Sequence, residues 1–207
     1  MSIPSHPSPR RATCATCLRP QPTCICRWIA PLASQIELLI LQHPLEVANA
    51  KGSARLLHLC LPGSRLVAGE AFEPAALHAL LHEGGRTPLL LYPAGIAAPA
   101  FDPAKLATPA NWSALRLVVL DGTWRKSLRM LHANPLLQSL PRWSVSTHGP
   151  ARYAALRRAR LPAQLSTLEA TCAALADVEC AAQRYAPLLD AFDRFVEDRV
   201  SRATAPK

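Results

Sequence analysis

The stretch that decides the fold is "LRLVVLDGTWRKSLRML", residues 115–131. Its first seven residues form a nearly unbroken apolar run, which is typical of a strand that is buried on both faces of a parallel sheet. The run ends at Asp121-Gly122-Thr123-Trp124, and a basic segment with helical spacing follows at once. A buried strand, a tight polar corner and a helix together predict one βα unit of an α/β protein.

Similar units lie on both sides of this stretch. Apolar runs predict further strands at 36–42, 65–69, 88–93 and 142–146. Helical spacing predicts helices at 53–61, 74–85 and 166–178, and a final helix or helix pair at 181–203, broken near Pro187. This alternation predicts an α/β domain with a mostly parallel sheet.

The composition suits one substantial domain with an anionic partner. The chain has 207 residues, of which 50% are hydrophobic and 18% are charged. Its 23 Lys and Arg exceed its 14 Asp and Glu, which gives a formal net charge of +9 and a pI near 9.7. That balance indicates nucleic acid first and an anionic membrane surface second, beside the plainer interpretation of a merely basic surface. Because no apolar run is long enough to span a bilayer and the first residues lack a signal-peptide core, we expect a cytoplasmic protein.

Four of the seven cysteines crowd into "CATCLRPQPTCIC". Cys14, Cys17, Cys24 and Cys26 form a C-x2-C-x6-C-x-C array, and four thiolates can close a tetrahedral shell around Zn²⁺. Such a shell leaves no open coordination position, so the predicted site is structural. The remaining cysteines have helical apolar neighbours and are predicted to be buried small side chains: Cys60, Cys172 and Cys180.

Polar and aromatic residues follow the predicted strands where they end. In open parallel sheets, ligands bind beyond the carboxyl ends of the strands. "QHPLE" (42–46) follows the first strand, "YP" (92–93) follows another, and "DGTW" (121–124) follows the central one. A fourth corner, "LPAQLSTLEA" (161–170), runs into a helix. Together these corners predict the lining of one pocket.

Each corner also has a plainer interpretation. Ser166 and Glu169 have the spacing of a helix capping box. Thr123 is a candidate helix cap and Trp124 a candidate core residue, while His43 before a proline suits an ordinary turn. The chain has no G-x-G-x-x-G, no P-loop, no H-E-x-x-H and no G-x-S-x-G motif. Any cofactor is therefore expected to need no pyrophosphate-binding loop.

The motifs, taken in order, resemble those of the DTW-domain family. They are the cysteine array, "LQHPLE" (41–46), "LLLYP" (89–93), "DGTW" (121–124), "RKSLRML" with "NP" (125–135) and "LSTLEA" (165–170). The resemblance implies a SPOUT-like α/β fold with a C-terminal knot. It divides the chain into a flexible N-terminus (1–13), a zinc-binding module (14–30) and a catalytic domain (31–207).

The resemblance also implies an activity, because the bacterial members of the family are tRNA-uridine aminocarboxypropyltransferases. They transfer the 3-amino-3-carboxypropyl group of S-adenosylmethionine to N3 of a uridine in the variable loop of tRNA, and 5′-methylthioadenosine is released. Two alternatives remain open. One is methyl transfer from the same donor to RNA, and the other is a non-catalytic, zinc-containing RNA-binding or ribosome-assembly module. The oligomeric state is open, with a monomer favoured.

A transferase of this kind needs a proton acceptor for N3, a donor pocket and phosphate contacts. We expect Asp121 to be the proton acceptor or to orient the base edge, with His43 and Glu46 as alternatives. Trp124 is expected to form an apolar wall near the sulfonium. The predicted donor pocket contains Leu91, Tyr92, Pro93, Leu120, Gly122, Thr123, Trp124, Leu165, Ser166, Thr167, Glu169 and Ala170. The predicted RNA contacts are Lys51, Arg55, Arg125, Lys126, Arg129, Arg152, Arg157, Arg158 and Arg160.

Overall fold

The computed structural model describes residues 12–93, 101, 109–145, 165–181 and 183–204. Within them five strands form one sheet in the order β2-β1-β4-β3-β5, and all neighbouring strands are parallel. This confirms the predicted α/β class with a parallel sheet. The strands are β1 Glu37–Gln42, β2 Arg65–Ala68, β3 Thr87–Leu91, β4 Leu115–Asp121 and β5 Arg142–Trp143.

Helices follow the strands, as the sequence predicts. They are α1 Ala54–Cys60, α2 Pro74–His82, α3 Trp124–Ala133, α4 Pro135–Gln138, α5 Thr167–Val178 and α6 Ala186–Thr204. The predicted break near Pro187 is wrong, because Pro187 lies in the first turn of the single helix α6. A proline is tolerated there, since the first N–H groups of a helix have no partner within the helix.

The central strand β4 is buried along its whole length and separates two apolar layers. Alternate residues of β4 face opposite sides, as the pleat of a strand requires. Leu117 and Val119 pack with α1, α5 and α6, while Val118 and Leu120 pack with α2, α3 and α4. The cysteine segment contributes to the first layer, where Trp28 contacts Phe195 edge to face with ring centroids 5.6 Å apart.

One prediction differs from the structure, and two others fall on residues that the structure does not describe. Cys60 and Cys172 are buried as predicted, but Cys180 is exposed, because α5 ends at Val178 and the chain turns there. The described residues do not show the predicted C-terminal knot, and residues 146–164 and residues 1–11 of the predicted flexible N-terminus lie outside them. Among the helices described, none combines the length and hydropathy that crossing a bilayer requires.

Candidate active site

Asp121, the last residue of β4, is held by two other segments at the carboxyl edge of the sheet. Its Oδ2 accepts a hydrogen bond from Gln42 Nε2 at 2.9 Å, and its Oδ1 accepts one from Thr167 Oγ1 at 2.7 Å. Gln42 is the register partner of Asp121 on β1, and Thr167 opens α5. The carboxylate is only 5% exposed. Its orientation is therefore set by the neighbouring strand and by the helix that returns to the sheet.

His43 follows β1 and has a partner at each ring nitrogen. Its backbone N–H donates to Asp121 O, which continues the β1–β4 pairing by one residue. Nδ1 accepts from the Leu45 N–H at 3.2 Å, and Nε2 lies 2.7 Å from Glu70 Oε2. Because Nδ1 accepts, the proton of a neutral ring lies on Nε2 and is donated to Glu70. The imidazole is thus engaged on both sides.

Glu46 ties the segment after β1 to helix α3. Its Oε1 lies 2.8 Å from Lys126 Nζ, and its Oε2 accepts from Asn49 Nδ2 at 2.5 Å. The Glu46 side chain is 4% exposed and that of Lys126 is 24% exposed, so the carboxylate of this ion pair is the part removed from water. Gly122 allows the close approach, since a Cβ at that position would lie 3.0 Å from Lys126 Cβ. The glycine of the Asp121–Trp124 corner therefore serves packing of the helix against the sheet edge.

Trp124 points outward and meets the end of β3. Its ring contacts Tyr92 edge to face, with centroids 5.7 Å apart, and its residue is 51% exposed. The interpretation of Trp124 as a core residue is therefore wrong. Thr123 occupies the N-cap position of α3, but its side chain makes no capping hydrogen bond. Both residues present their side chains at the surface of the corner.

The first turn of α5 forms the fourth side of the candidate active site. Ser166 Oγ accepts from the Glu169 N–H at 3.2 Å, and Glu169 Oε2 accepts from the Ser166 N–H at 2.8 Å, which confirms the predicted capping box. The next amide, Leu168 N–H, donates to Ser53 Oγ at 3.4 Å. With the Thr167–Asp121 bond, these contacts fix the start of α5 against β4 and α1.

The predicted donor-pocket residues meet at this single edge. Leu120 is buried at the end of β4, while Leu91 and Tyr92 are half-buried and Pro93 is exposed at the end of β3. Leu165 and Ala170 are half-buried at the start of α5. Two contacts join the three corners, Tyr92 with Trp124 and Thr167 with Asp121.

The predicted RNA contacts divide into three groups. Lys51 and Arg125 are exposed, and Arg55 is half-buried on α1. Lys126 and Arg129 form ion pairs with Glu46 and Glu70. The remaining candidates lie outside the described residues: Arg152, Arg157, Arg158 and Arg160.

Glu70 and Ser53 belong to the candidate active site but were not predicted as site residues. Glu70 bridges His43 and Arg129, with contacts of 2.7 and 2.6 Å. It comes two residues after β2, so the rule that found the other corners also applies to it. Nothing in the sequence indicated Ser53, because its hydroxyl accepts a hydrogen bond from an amide 115 positions away.

The four N-terminal cysteines form a group of suitable size for a metal. Their Sγ atoms all lie within 4.8 Å of one another, and the pairs Cys14–Cys26 and Cys17–Cys24 are 3.6 and 3.7 Å apart. A tetrahedral zinc site with Zn–S bonds of about 2.3 Å has sulfur–sulfur edges of about 3.8 Å. The sulfur positions therefore fit a four-coordinate soft cation.

The environment of the cysteines has the same implication. Hydrogen bonds from the backbone of Cys17 and Thr16 lower the pKa of Cys14 to about 6. Desolvation, followed by hydrogen bonds to the neighbouring thiols, raises the pKa of Cys26 to about 12. One thiolate is thus stabilised while an adjacent thiol retains its proton. A divalent cation would relieve this conflict, because it stabilises several thiolates at once.

Comparison with known proteins places these features in a family. The model of the DTW domain matches residues 11–200. Proteins named tRNA-uridine aminocarboxypropyltransferase 2 from Macaca fascicularis and Mus musculus are each 29% identical over 184 residues, covering 86% of this chain and 60% of their own length. The protein of that name from Drosophila melanogaster is 32% identical over 185 residues, covering 86% and 71%. The chain thus spans about 60% of the length of the first two relatives. No solved structure matches the chain.

Proposed function

Because this chain belongs to the DTW domain family, we propose that it transfers the 3-amino-3-carboxypropyl group of S-adenosylmethionine to N3 of a uridine in the variable loop of a tRNA. The names of its relatives support this reaction. The observation that carries the proposal is the convergence on Asp121 of residues from two other segments, Gln42 and Thr167. A buried carboxylate held at the carboxyl edge of a parallel sheet lies where such sheets bind ligands.

The reaction joins N3 of the uracil to the γ-carbon of the donor's methionine chain. The bond between that carbon and sulfur breaks, and its electron pair stays on sulfur, so that 5′-methylthioadenosine leaves. The N3 proton passes to a base on the protein and then to water. N3 lies on the pairing edge, so the uridine must be unpaired or turned out of its stack. The choice between this transfer and methyl transfer depends on which carbon faces N3, which is a matter of positioning.

Asp121 is the proton acceptor in this proposal. The bonds from Gln42 and Thr167 orient the carboxylate of Asp121 at the edge where a parallel sheet binds its ligand. The alternatives are less suitable, because His43 is engaged at both ring nitrogens and Glu46 is paired with Lys126. In our interpretation His43 and Glu46 hold the corner together.

Donor binding is assigned to the three corners that meet at this edge. They are Leu91–Pro93 after β3, Leu120–Trp124 at the end of β4, and Leu165–Ala170 at the start of α5. The indole of Trp124 is the apolar wall beside the sulfonium, where cation–π attraction adds to apolar contact. Its position beside Tyr92 supports this assignment, because the ring contacts the end of β3 while about half of the residue stays exposed to a ligand.

Replacing Trp124 with alanine is expected to weaken donor binding by about tenfold, the effect of losing one cation–π and apolar contact. Isothermal titration with S-adenosylmethionine measures the dissociation constant. Leu128→Ala is the matched control, since Leu128 is also exposed and lies one turn further along α3. Wild-type affinity in Trp124→Ala would remove the indole from the donor site.

The remaining assignments are part of the same proposal. Zn²⁺ would be held by the four cysteine thiolates as a structural ion, in a module of residues 14–30 that precedes a catalytic domain of residues 31–207. The SPOUT-like C-terminal knot is proposed on the family resemblance alone. The exposed side chains of Lys51 and Arg125 would contact tRNA phosphates. We expect a cytoplasmic monomer.

Nucleoside analysis tests the reaction directly. Transfer RNA is incubated with the protein and S-adenosylmethionine, digested, and examined by mass spectrometry. The proposal expects a uridine that carries the mass of an aminocarboxypropyl group, together with an equal amount of 5′-methylthioadenosine. Gain of a methyl group with S-adenosylhomocysteine would instead identify a methyltransferase. If neither modified nucleoside forms, the protein is a non-catalytic RNA-binding protein.

A further inference from the structure

Arg19 joins the cysteine cluster to a distant loop. It follows the first cysteine pair, and its backbone C=O accepts the Cys14 N–H at 2.8 Å. Its guanidinium reaches two carbonyls, with Nη1 donating to Ala50 O at 2.7 Å and Nη2 to Gly52 O at 2.8 Å. The planar fork of arginine is suited to this double contact, which a lysine ammonium cannot reproduce with the same geometry.

The loop held by Arg19, which we call the site loop and define as residues 43–53, touches two sides of the candidate active site. Glu46 pairs with Lys126 on α3, and Ser53 Oγ accepts the Leu168 N–H at the start of α5. The backbone hydrogen bonds within the loop close short turns, such as the one from Gly52 N–H to Asn49 O at 2.9 Å. A loop of this kind depends on outside contacts for its order.

We propose that Arg19 is a positioning residue through which the cysteine cluster fixes the site loop against the active site. Cys14 and Cys17 bound to one metal ion would lock the turn that presents Arg19. Leu18 in that turn has a φ of 56°, a left-handed conformation that leucine adopts only where its surroundings impose it. The cluster thus contributes to the arrangement of the reaction site as well as to the stability of the fold. Its meaning for catalysis rests on the proposed function, whereas the mechanical link does not.

The first test is hydrogen exchange in Arg19→Ala, which retains all four cysteines. We expect the amides of Asn49, Lys51 and Gly52 to exchange about tenfold faster, as loss of a charge-assisted contact implies, while metal content stays unchanged. Arg19→Lys should restore only part of the protection, because one ammonium replaces a two-pronged donor. Arg194→Ala is the control, since it removes the same charge from an exposed position on α6. Wild-type exchange in Arg19→Ala would overturn the proposal.

The second test removes the metal with a chelator in the wild type and in Arg19→Ala. If Arg19 carries the link, chelation accelerates exchange of the site loop in the wild type and adds little in Arg19→Ala. Equal acceleration in both proteins would show that the cluster acts on the loop by another route. Neither measurement uses tRNA or donor, so failure here is distinct from failure of the proposed transfer reaction.

The catalytic consequence is measured separately. At saturating donor and tRNA, the single-turnover transfer rate of Arg19→Ala is expected to fall about tenfold in parallel with the loss of loop protection, since small misplacements at a reaction site are costly. Arg19→Lys should recover part of this rate. A wild-type rate in a variant whose loop exchanges faster would remove the catalytic part of the proposal and leave the mechanical part standing.

Discussion

Replacing Asp121 with asparagine is expected to lower the single-turnover rate of aminocarboxypropyl transfer by about a thousandfold, which lies within the range for loss of a general base. Asparagine has nearly the same shape, and its carbonyl can still accept from Gln42 Nε2. Its amide group can donate to Thr167 Oγ1, since a hydroxyl both donates and accepts. The substitution therefore keeps the hydrogen-bonded corner and removes the ability to take a proton from N3.

The rate is measured with enzyme in excess over labelled donor, at tRNA and donor concentrations that saturate each variant. Glu46→Gln is the matched control, because it removes a buried carboxylate from the same edge without touching Asp121. We expect it to affect the rate far less than Asp121→Asn. An undiminished rate in Asp121→Asn would exclude the proton role and leave Asp121 as a residue that only joins β4 to β1 and α5.

The βα unit at 115–131 was predictable because its signals are local. An apolar run of that length has to be buried on both faces, and β4 occupies the predicted residues 115–121. The capping box of α5 was predictable for the same reason, since Ser166 and Glu169 lie within one helical turn. Arg116 shows what these local signals could not predict. It is 1% exposed inside this strand, because Glu37 lies opposite it on β1 and pairs with its guanidinium.

The rule for parallel sheets predicted that the segments after the strands lie side by side. It did not predict the side-chain contacts between them. A parallel sheet brings the carboxyl ends of its strands to one edge, so residues after β1, β3 and β4 had to be neighbours. Nothing in the spacing shows that Thr167 bonds Asp121, or that Arg19 reaches Gly52, 33 positions away. These pairs depend on how α5 and the cysteine segment pack onto the sheet. The outward position of Trp124, beside Tyr92, likewise could not be derived from its spacing.

Replacing Cys17 with serine is expected to remove the metal and to destabilise the protein. Cys17 is 1% exposed and belongs to the same apolar layer as Ile25 and Trp28. Structural zinc sites supply folding energy directly, because the unfolded chain has no preformed site. We expect the zinc content to fall from about one ion per chain to nearly none, and the melting temperature to fall by about 10 °C, as a loss of a few kcal/mol implies for a domain of this size.

Two features indicate that the Cys17→Ser substitution unfolds only part of the chain. The cysteine segment is also held by Trp28 against Phe195 and by Arg199 Nη2, which donates to Thr23 O at 3.0 Å. The sheet itself contains no cysteine in its strands. Cys180→Ser is the control, since it makes the same chemical change at an exposed position away from the cluster. Metal analysis and thermal melting of both variants separate the outcomes, because full zinc content in Cys17→Ser would mean that Cys17 is not a ligand.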